Sequence, residues 1–133
     1  MKTIKVVAAI IIDNNKVFAT QRGYGEFKDG WEFPGGKVEP HESNEEALVR
    51  EIKEELDCDI EIKEYFDTIE YDYDSFHLSM TCFICHKKNS HLILKEHESA
   101  KWLTLDKLDT VEWLPADITI IEKLKIYLKN NDN

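Results

Sequence analysis

WEFPGGKVEPHESNEEALVREIKEELD, residues 31–57, packs eight Glu and one Asp into 27 residues. Only Lys37, Arg50 and Lys53 balance that charge. The second half of the stretch carries the marks of a helix. Ser43, with Glu46 three residues on, forms a capping box. Ala47, Leu48, Ile52 and Leu56 supply an apolar stripe at helical spacing. A helix over residues 44–56 is therefore predicted.

On that helix Glu51, Glu54 and Glu55 stand at i, i+3 and i+4, on one face and within reach of a common point. Like charges so placed destabilise a helix by a few tenths of a kcal/mol per pair. They also fall in the last turn, where the helix dipole disfavours anions. The pattern asks for a cation. Hard oxygen ligands suit Mg²⁺, with Mn²⁺ as a substitute, and Mg²⁺ commonly bridges to substrate phosphates. A solvated acidic face is the plainer reading of any charge run. The Pro34-Gly35-Gly36 turn in front weighs against it, because glycine lets a backbone approach a ligand and offer a carbonyl.

Working outward, the 133 residues make one domain, with 42% apolar and 33% charged residues. A chain of this size buries roughly 65–70% of its unfolded surface and needs no staples. The net charge of −10 argues against a duplex nucleic-acid surface. It leaves room for a small phosphorylated ligand if metal ions lie between the two negative partners. The three cysteines, Cys58, Cys82 and Cys85, point to a reducing, cytoplasmic setting rather than a disulfide framework. The N-terminus, with Lys2 and Lys5 before an apolar run over 6–12, has the outline of a short signal peptide. It lacks the cleavage site, and the run is too short to span a membrane. A buried strand is expected instead.

Residues 3–12 are apolar on both faces, as in a central strand. Residues 13–16 (DNNK) form a turn, so 16–22 pairs back as a hairpin. Residues 22–30, with three of the five glycines, form a loop, and Trp31 to Phe33 is a short strand stopped by Pro34. Strands are expected over 60–73 and 76–87, joined around Asp74-Ser75, and over 101–105. The last element, residues 116–130, places Ile120, Ile121, Leu124 and Leu128 at helical spacing, and residues 129–133 are expected to fray. CFICH, residues 82–86, matches a haem-attachment pattern. In a strand, however, Cys82 and Cys85 point to opposite faces, which suits neither a shared haem nor one metal. Both are read as core fillers.

Gly36, five residues, Glu42, seven residues, then Arg50-Glu51-Ile52-Lys53-Glu54-Glu55 resembles the Nudix box of the nucleoside-diphosphate-linked-moiety hydrolases. VVAAIII (6–12), ATQR (19–22), WEFPGGKVEP (31–40), EHE (96–98) and WLPADI (113–118) resemble its MutT-like branch, and within it the CTP pyrophosphohydrolases. One position departs: the family usually has Gly where this chain has Asp57. That Gly is a left-handed C-cap, and Asp enters the same region at roughly 1 kcal/mol.

The resemblance implies an α/β fold, an α/β/α sandwich around a mixed sheet. It implies hydrolysis of a nucleoside triphosphate to the monophosphate and pyrophosphate. By motif position, Glu51, Glu54 and Glu55 would hold metal with the Gly35 carbonyl, and Glu51 or Glu54 would be the base for the attacking water. Arg50 would orient a glutamate through a bidentate pair, as against a plain i−4 pair with Glu46. Glu42 would support the loop, Glu96 or Glu98 would add a late carboxylate, and His77 and His97 would be structural. Arg22, Glu32 and Phe33 would meet the nucleotide. Asp117 would read the base edge. An ionised Asp accepts hydrogen bonds only, which suits the amino group of cytosine. Cytidine triphosphates, plain or modified, are therefore the expected substrates, and 8-oxo-dGTP the alternative. A hydrolase of another linked diphosphate shares the same box. A catalytically silent nucleotide-binding module would show a broken one, and Arg50, Glu51, Glu54 and Glu55 are all intact. No feature of the sequence specifies an oligomeric state.

Overall fold

β1, Lys2–Asp13, carries apolar residues on both faces and lies in the middle of the sheet. The computed structural model describes residues 1–95 and 97–131. Two asparagines, Asn14 and Asn15, turn the chain with φ of 51° and 62°. Positive φ at both central residues is what a two-residue hairpin of right-twisted strands needs, and Asn tolerates it best after Gly. β2 (Lys16–Arg22) pairs back, with Asp13 opposite Lys16. β3 (Trp31–Glu32), β4 (Gly35–Lys37), α1 (Asn44–Leu56), β5 (Ile60–Asp72), β6 (Phe76–Lys87) and β7 (His97–Leu103) follow. A short 3₁₀ helix, Leu105–Thr110, and α2, Pro115–Asn130, complete the chain.

The sheet order is β3-β2-β1-β6-β5, with β4 on β1 and β7 on β2. β1 and β6 run parallel from Lys2 opposite Phe76 to Ile11 opposite Cys85, and the other pairs are antiparallel. The mixed sheet is thus as expected. Alternation along β1 divides the core in two. Ala8 and Ile10 join Ile120, Ile121, Leu124 and Leu128 of α2 on one face. Val7, Ala9 and Ile11 join Ala47, Leu48, Ile52 and Leu56 of α1 on the other. One helix on each face is the α/β/α sandwich. Among the described residues no helix is long and apolar enough to cross a membrane.

β6 confirms the face assignment, with Met80, Cys82 and Ile84 against the α2 side and Cys85 against the α1 side. All three cysteines are free and buried, so CFICH is a strand that fills two cores.

Three expectations need correction. The glycines after Pro34 are not a turn: Gly35 and Gly36 lie in β4, opposite Ala8 and Val7. A Cβ on Gly35 would overlap the Val7 carbonyl, so Gly is there for close packing against β1. The strand expected over 101–105 runs from His97 to Leu103. Leu103 opposite Val17 is its last pair with β2, and past that point the chain coils into the 3₁₀ helix and buries Leu108. The C-terminal helix runs through Asn130, past the expected start of fraying, and Asn131 closes it with its N–H and Nδ2 on the Tyr127 carbonyl; the rest of the expected tail, residues 132–133, lies outside the described residues.

Candidate active site

α1 is set by its two ends. Ser43 Oγ accepts the Glu46 N–H at 3.0 Å, and Glu46 Oε1 accepts the Ser43 N–H at 2.9 Å, which completes the predicted capping box. At the other end Asp57 is left-handed, φ 51° and ψ 36°, and its N–H reaches the Lys53 carbonyl. Asp thus takes the geometry that Gly would supply. With both ends fixed and the Ala47, Leu48, Ile52 and Leu56 stripe buried, the rotation of α1 is determined, and so is the direction of Glu51 and Glu55.

Arg50 ties this helix to the loop before it. Its Nε and Nη2 grip the two Glu42 oxygens at 2.6 and 2.8 Å. Nη2 also donates to the Lys37 carbonyl at 3.1 Å, and Nη1 to Glu51 Oε1 at 2.8 Å. Glu42 in turn accepts the Glu39 N–H. The Arg50 guanidinium and that N–H hold the Glu42 carboxyl at about 2. Glu46 is occupied by the cap, so the i−4 alternative for Arg50 is not what forms. Arg50 is thus forked on Glu42 and makes a single contact to a Glu51 oxygen.

The three carboxylates do not all face one point. Glu51 and Glu55 line a cleft of about 490 Å³ together with Gly35 and Gly36. Glu54 leans outward, its side chain 60% exposed, and takes Arg50 Nη1 at 3.2 Å. Among the described residues no group of three His, Cys, Asp or Glu forms a ready metal cage. The donors nevertheless fit a hard divalent cation. Glu55 is a buried carboxylate on the cleft wall, and Glu51 sits so close to Gly36 that any Cβ there would overlap its carboxylate. Oxygen donors from Glu51 and Glu55 beside a glycine backbone are the set Mg²⁺ takes.

The other wall of the cleft holds Arg22, Glu32, Phe33 and Asp117. Arg22 is forked on Glu32 at 3.1 and 2.7 Å and donates to the Glu26 carbonyl at 3.0 Å. Phe33 is buried and stacks on Trp113, with ring centroids 4.7 Å apart, so it is at once core and cleft wall. Its N–H donates to Asp117 Oδ1 at 3.1 Å. Asp117 is 4% exposed, and burial pushes its carboxyl up to about 8. Burial thus favours the acid form of Asp117, which both donates and accepts, over the ionised form that the sequence reading assumed.

Seven of the predicted site residues thus share one cleft: Arg22, Glu32, Phe33, Gly35, Glu51, Glu55 and Asp117. Arg50 and Glu54 stand behind it. His77 of β6 bridges Asp72 and Glu70 of β5. Glu96 and the side chains of His97 and Glu98 lie outside the described residues. Tyr73, Phe27 and Tyr24 line the cleft without having been singled out. Their signal in the sequence is weak, since an aromatic at a strand end reads as β propensity.

Residues 2–124 match the family model described as NUDIX domain. The CTP pyrophosphohydrolase of Escherichia coli (strain K12) is 35% identical over 123 residues, covering 92% of this chain and 91% of that protein. The 8-oxo-dGTP diphosphatase of the same strain is 31% identical over 127 residues, covering 94% and 98%. The solution structure of the E. coli ORF135 protein superposes with a TM-score of 0.84 at 32% identity, covering 99% of this chain and 95% of that one. The MutT protein of methicillin-resistant Staphylococcus aureus 252 gives a TM-score of 0.76 at 39% identity, covering 96% and 99%. With the box residues assembled on a capped helix and the match running over nearly the whole chain, the protein belongs to the NUDIX domain family and is a MutT-like hydrolase.

Proposed function

We propose that this protein is a Mg²⁺-dependent nucleoside triphosphate pyrophosphohydrolase. It would split (d)NTP and water into (d)NMP and pyrophosphate, with cytidine triphosphates, plain or modified, as the substrates. The observation that carries the reading is the single cleft with Glu51 and Glu55 on one wall and Asp117 with Phe33 on the other. Such a cleft suits a ligand with a phosphate chain at one end and a base at the other.

A divalent cation, when bound, neutralises the phosphate charge and lowers the pKa of the attacking water. Glu51 and Glu55, with the Gly35 carbonyl and Glu54 turned inward, are the residues that would hold it. Glu51 or Glu54 would take the proton from the water. Arg50 keeps Glu51 oriented through the contact at 2.8 Å. Positioning of this kind supplies much of the barrier reduction in phosphoryl chemistry. At the base end, Arg22 and Glu32 form the fork beside the nucleoside.

The base preference rests on Asp117. As an acid it offers one acceptor and one donor. Cytosine presents a matching amino donor and N3 acceptor side by side. Similarity to a CTP pyrophosphohydrolase supports the same choice. A second reading, cleansing of 8-oxo-dGTP, is favoured by the similarity to 8-oxo-dGTP diphosphatases, and a carboxylic acid also matches an N–H beside a keto oxygen.

The test is a panel of CTP, dCTP, 5-methyl-dCTP, dGTP, 8-oxo-dGTP, a nucleotide sugar and a dinucleoside polyphosphate, each with Mg²⁺. Monophosphate and pyrophosphate release are followed together. Highest kcat/KM on a cytidine triphosphate is expected. Preference for 8-oxo-dGTP would replace the cytidine reading, and turnover of the linked diphosphates alone would overturn both.

A further inference from the structure

Tyr73 lies in the turn just past β5 and lines the same cleft as Asp117. Its ring is boxed in. The Tyr71, Phe76 and Phe27 rings lie 4.9, 5.1 and 5.3 Å from it, and the Phe76 ring is stacked. Its position is thus fixed by packing and not by its hydroxyl.

The hydroxyl oxygen accepts the Ala116 N–H at 3.2 Å. Ala116 is in the first turn of α2, where backbone donors have no partner within the helix, and Asp117 is the next residue. The Tyr73 oxygen is thereby seated beside the Asp117 backbone. A phenol has one proton to donate besides the lone pairs it accepts with. Among the described residues that proton meets no acceptor, while the oxygen is held on the cleft wall. The other strong donor nearby, Arg22, already directs three of its five N–H groups to Glu32 and Glu26.

Acceptor, donor and second donor are therefore available from two neighbouring side chains: the Asp117 carboxyl gives the first two and Tyr73 the third. Cytosine presents the complement along one edge, amino donor, N3 acceptor and 2-keto acceptor. This is the order in which guanine meets it. We propose that the Tyr73 hydroxyl is a specificity-determining group that donates to the 2-keto oxygen of a cytosine whose amino group and N3 face Asp117. The inference rests on the cytidine reading above and adds a residue to it.

The test is a cycle between one protein atom and one substrate atom. Tyr73→Phe removes the hydroxyl and keeps the ring. Replacing CTP by 2-thio-CTP turns the keto oxygen into sulfur, a much weaker acceptor. The wild type should favour CTP over 2-thio-CTP in kcat/KM by about three- to tenfold, the range of one neutral hydrogen bond. In Tyr73→Phe the ratio should fall to near one, with the loss on CTP appearing in KM. If Tyr73→Phe lowers both substrates equally, the hydroxyl serves only to cap Ala116 and the inference fails. An unchanged ratio also overturns it. Turnover of neither nucleotide by the wild type overturns the cytidine reading itself. Calorimetric titration of CMP and 2-thio-CMP reads the same cycle without turnover, should the variant lose activity altogether.

Discussion

Arg50 holds both oxygens of Glu42, eight residues before it, at 2.6 and 2.8 Å. This fork joins the loop that follows β4 to the helix that carries Glu51 and Glu55. Lysine at position 50 would keep the charge and lose the fork. Arg50→Lys should therefore lower kcat by roughly 10- to 100-fold, the usual cost of losing the support behind a metal ligand. KM should move little. A kcat within twofold of wild type would show that the fork is not needed to orient Glu51.

The same pair sets an acid limit. The Glu42 carboxyl is held at about 2 in the folded protein, against 4.5 for the free group. A depressed folded value contributes stability that is full above the unfolded value and lost as pH falls through the folded one. The wild type should lose stability between pH 4.5 and about 2, and Glu42→Gln should lose less over that window. Thermal melts of both proteins across the window check this, and parallel curves would contradict it.

Asp117 has the opposite sign. Its carboxyl is raised from 3.8 to about 8 in the fold, so the folded state binds the proton more tightly. That contribution is complete below the unfolded value and is lost as pH climbs towards 8. Asp117→Asn keeps an acceptor and a donor without titrating. The melting temperature of the variant should gain on wild type by about 5 °C or more from pH 4 to pH 8. CTP turnover should persist in the variant above pH 8, where wild type weakens. Equal pH dependence of the two proteins would sink the assignment.

Two adjacent glycines should fail differently. A Cβ on Gly35 meets the Val7 backbone, which has no room to give. Gly35→Ala should cost stability on the order of 2 kcal/mol or more. A Cβ on Gly36 meets the Glu51 side chain, which can swing aside. Gly36→Ala should fold but bind Mn²⁺ about 10-fold more weakly or worse, because Glu51 is displaced. Melting curves and Mn²⁺ titrations of the two variants separate the effects, and similar behaviour in both assays would contradict them.

The buried thiols of Cys82 and Cys85 should be inert. Burial pushes both up, Cys85 to about 12, so neither forms thiolate at neutral pH. A thiol reagent should label them only after denaturation. Rapid labelling of the native protein would show that β6 opens.

Much of this was legible in the sequence, for physical reasons. The helix over 44–56 has a capping box and a four-residue apolar stripe, which are local signals, and its bounds came out as read. The asparagine hairpin and the two faces of β6 rest on turn chemistry and period-two alternation, also local. The misses are tertiary. Gly35-Gly36 reads as a turn until β1 is seen lying against it. Glu54 shares the spacing of Glu51 and Glu55, but helical spacing does not show the ion pair it makes with Arg50. Asp117 looks like an ordinary first-turn anion, and only its burial in the fold, which helical position alone does not reveal, favours the acid form. Tyr73 carries no pattern at all, because its place in the cleft is set by packing against rings as distant in the chain as Phe27.

The proposed function requires carboxylates on α1 to drive Mg²⁺-dependent cleavage of a nucleoside triphosphate in this cleft. The most direct measurement is pyrophosphate release from CTP against Mg²⁺ concentration, for wild type and Glu51→Gln. Wild type should release pyrophosphate and CMP in equal amounts and stop when Mg²⁺ is chelated. Glu51→Gln should fall at least about 100-fold in kcat while keeping its melting temperature. Equal rates in the two proteins, or turnover that ignores Mg²⁺, would contradict the account.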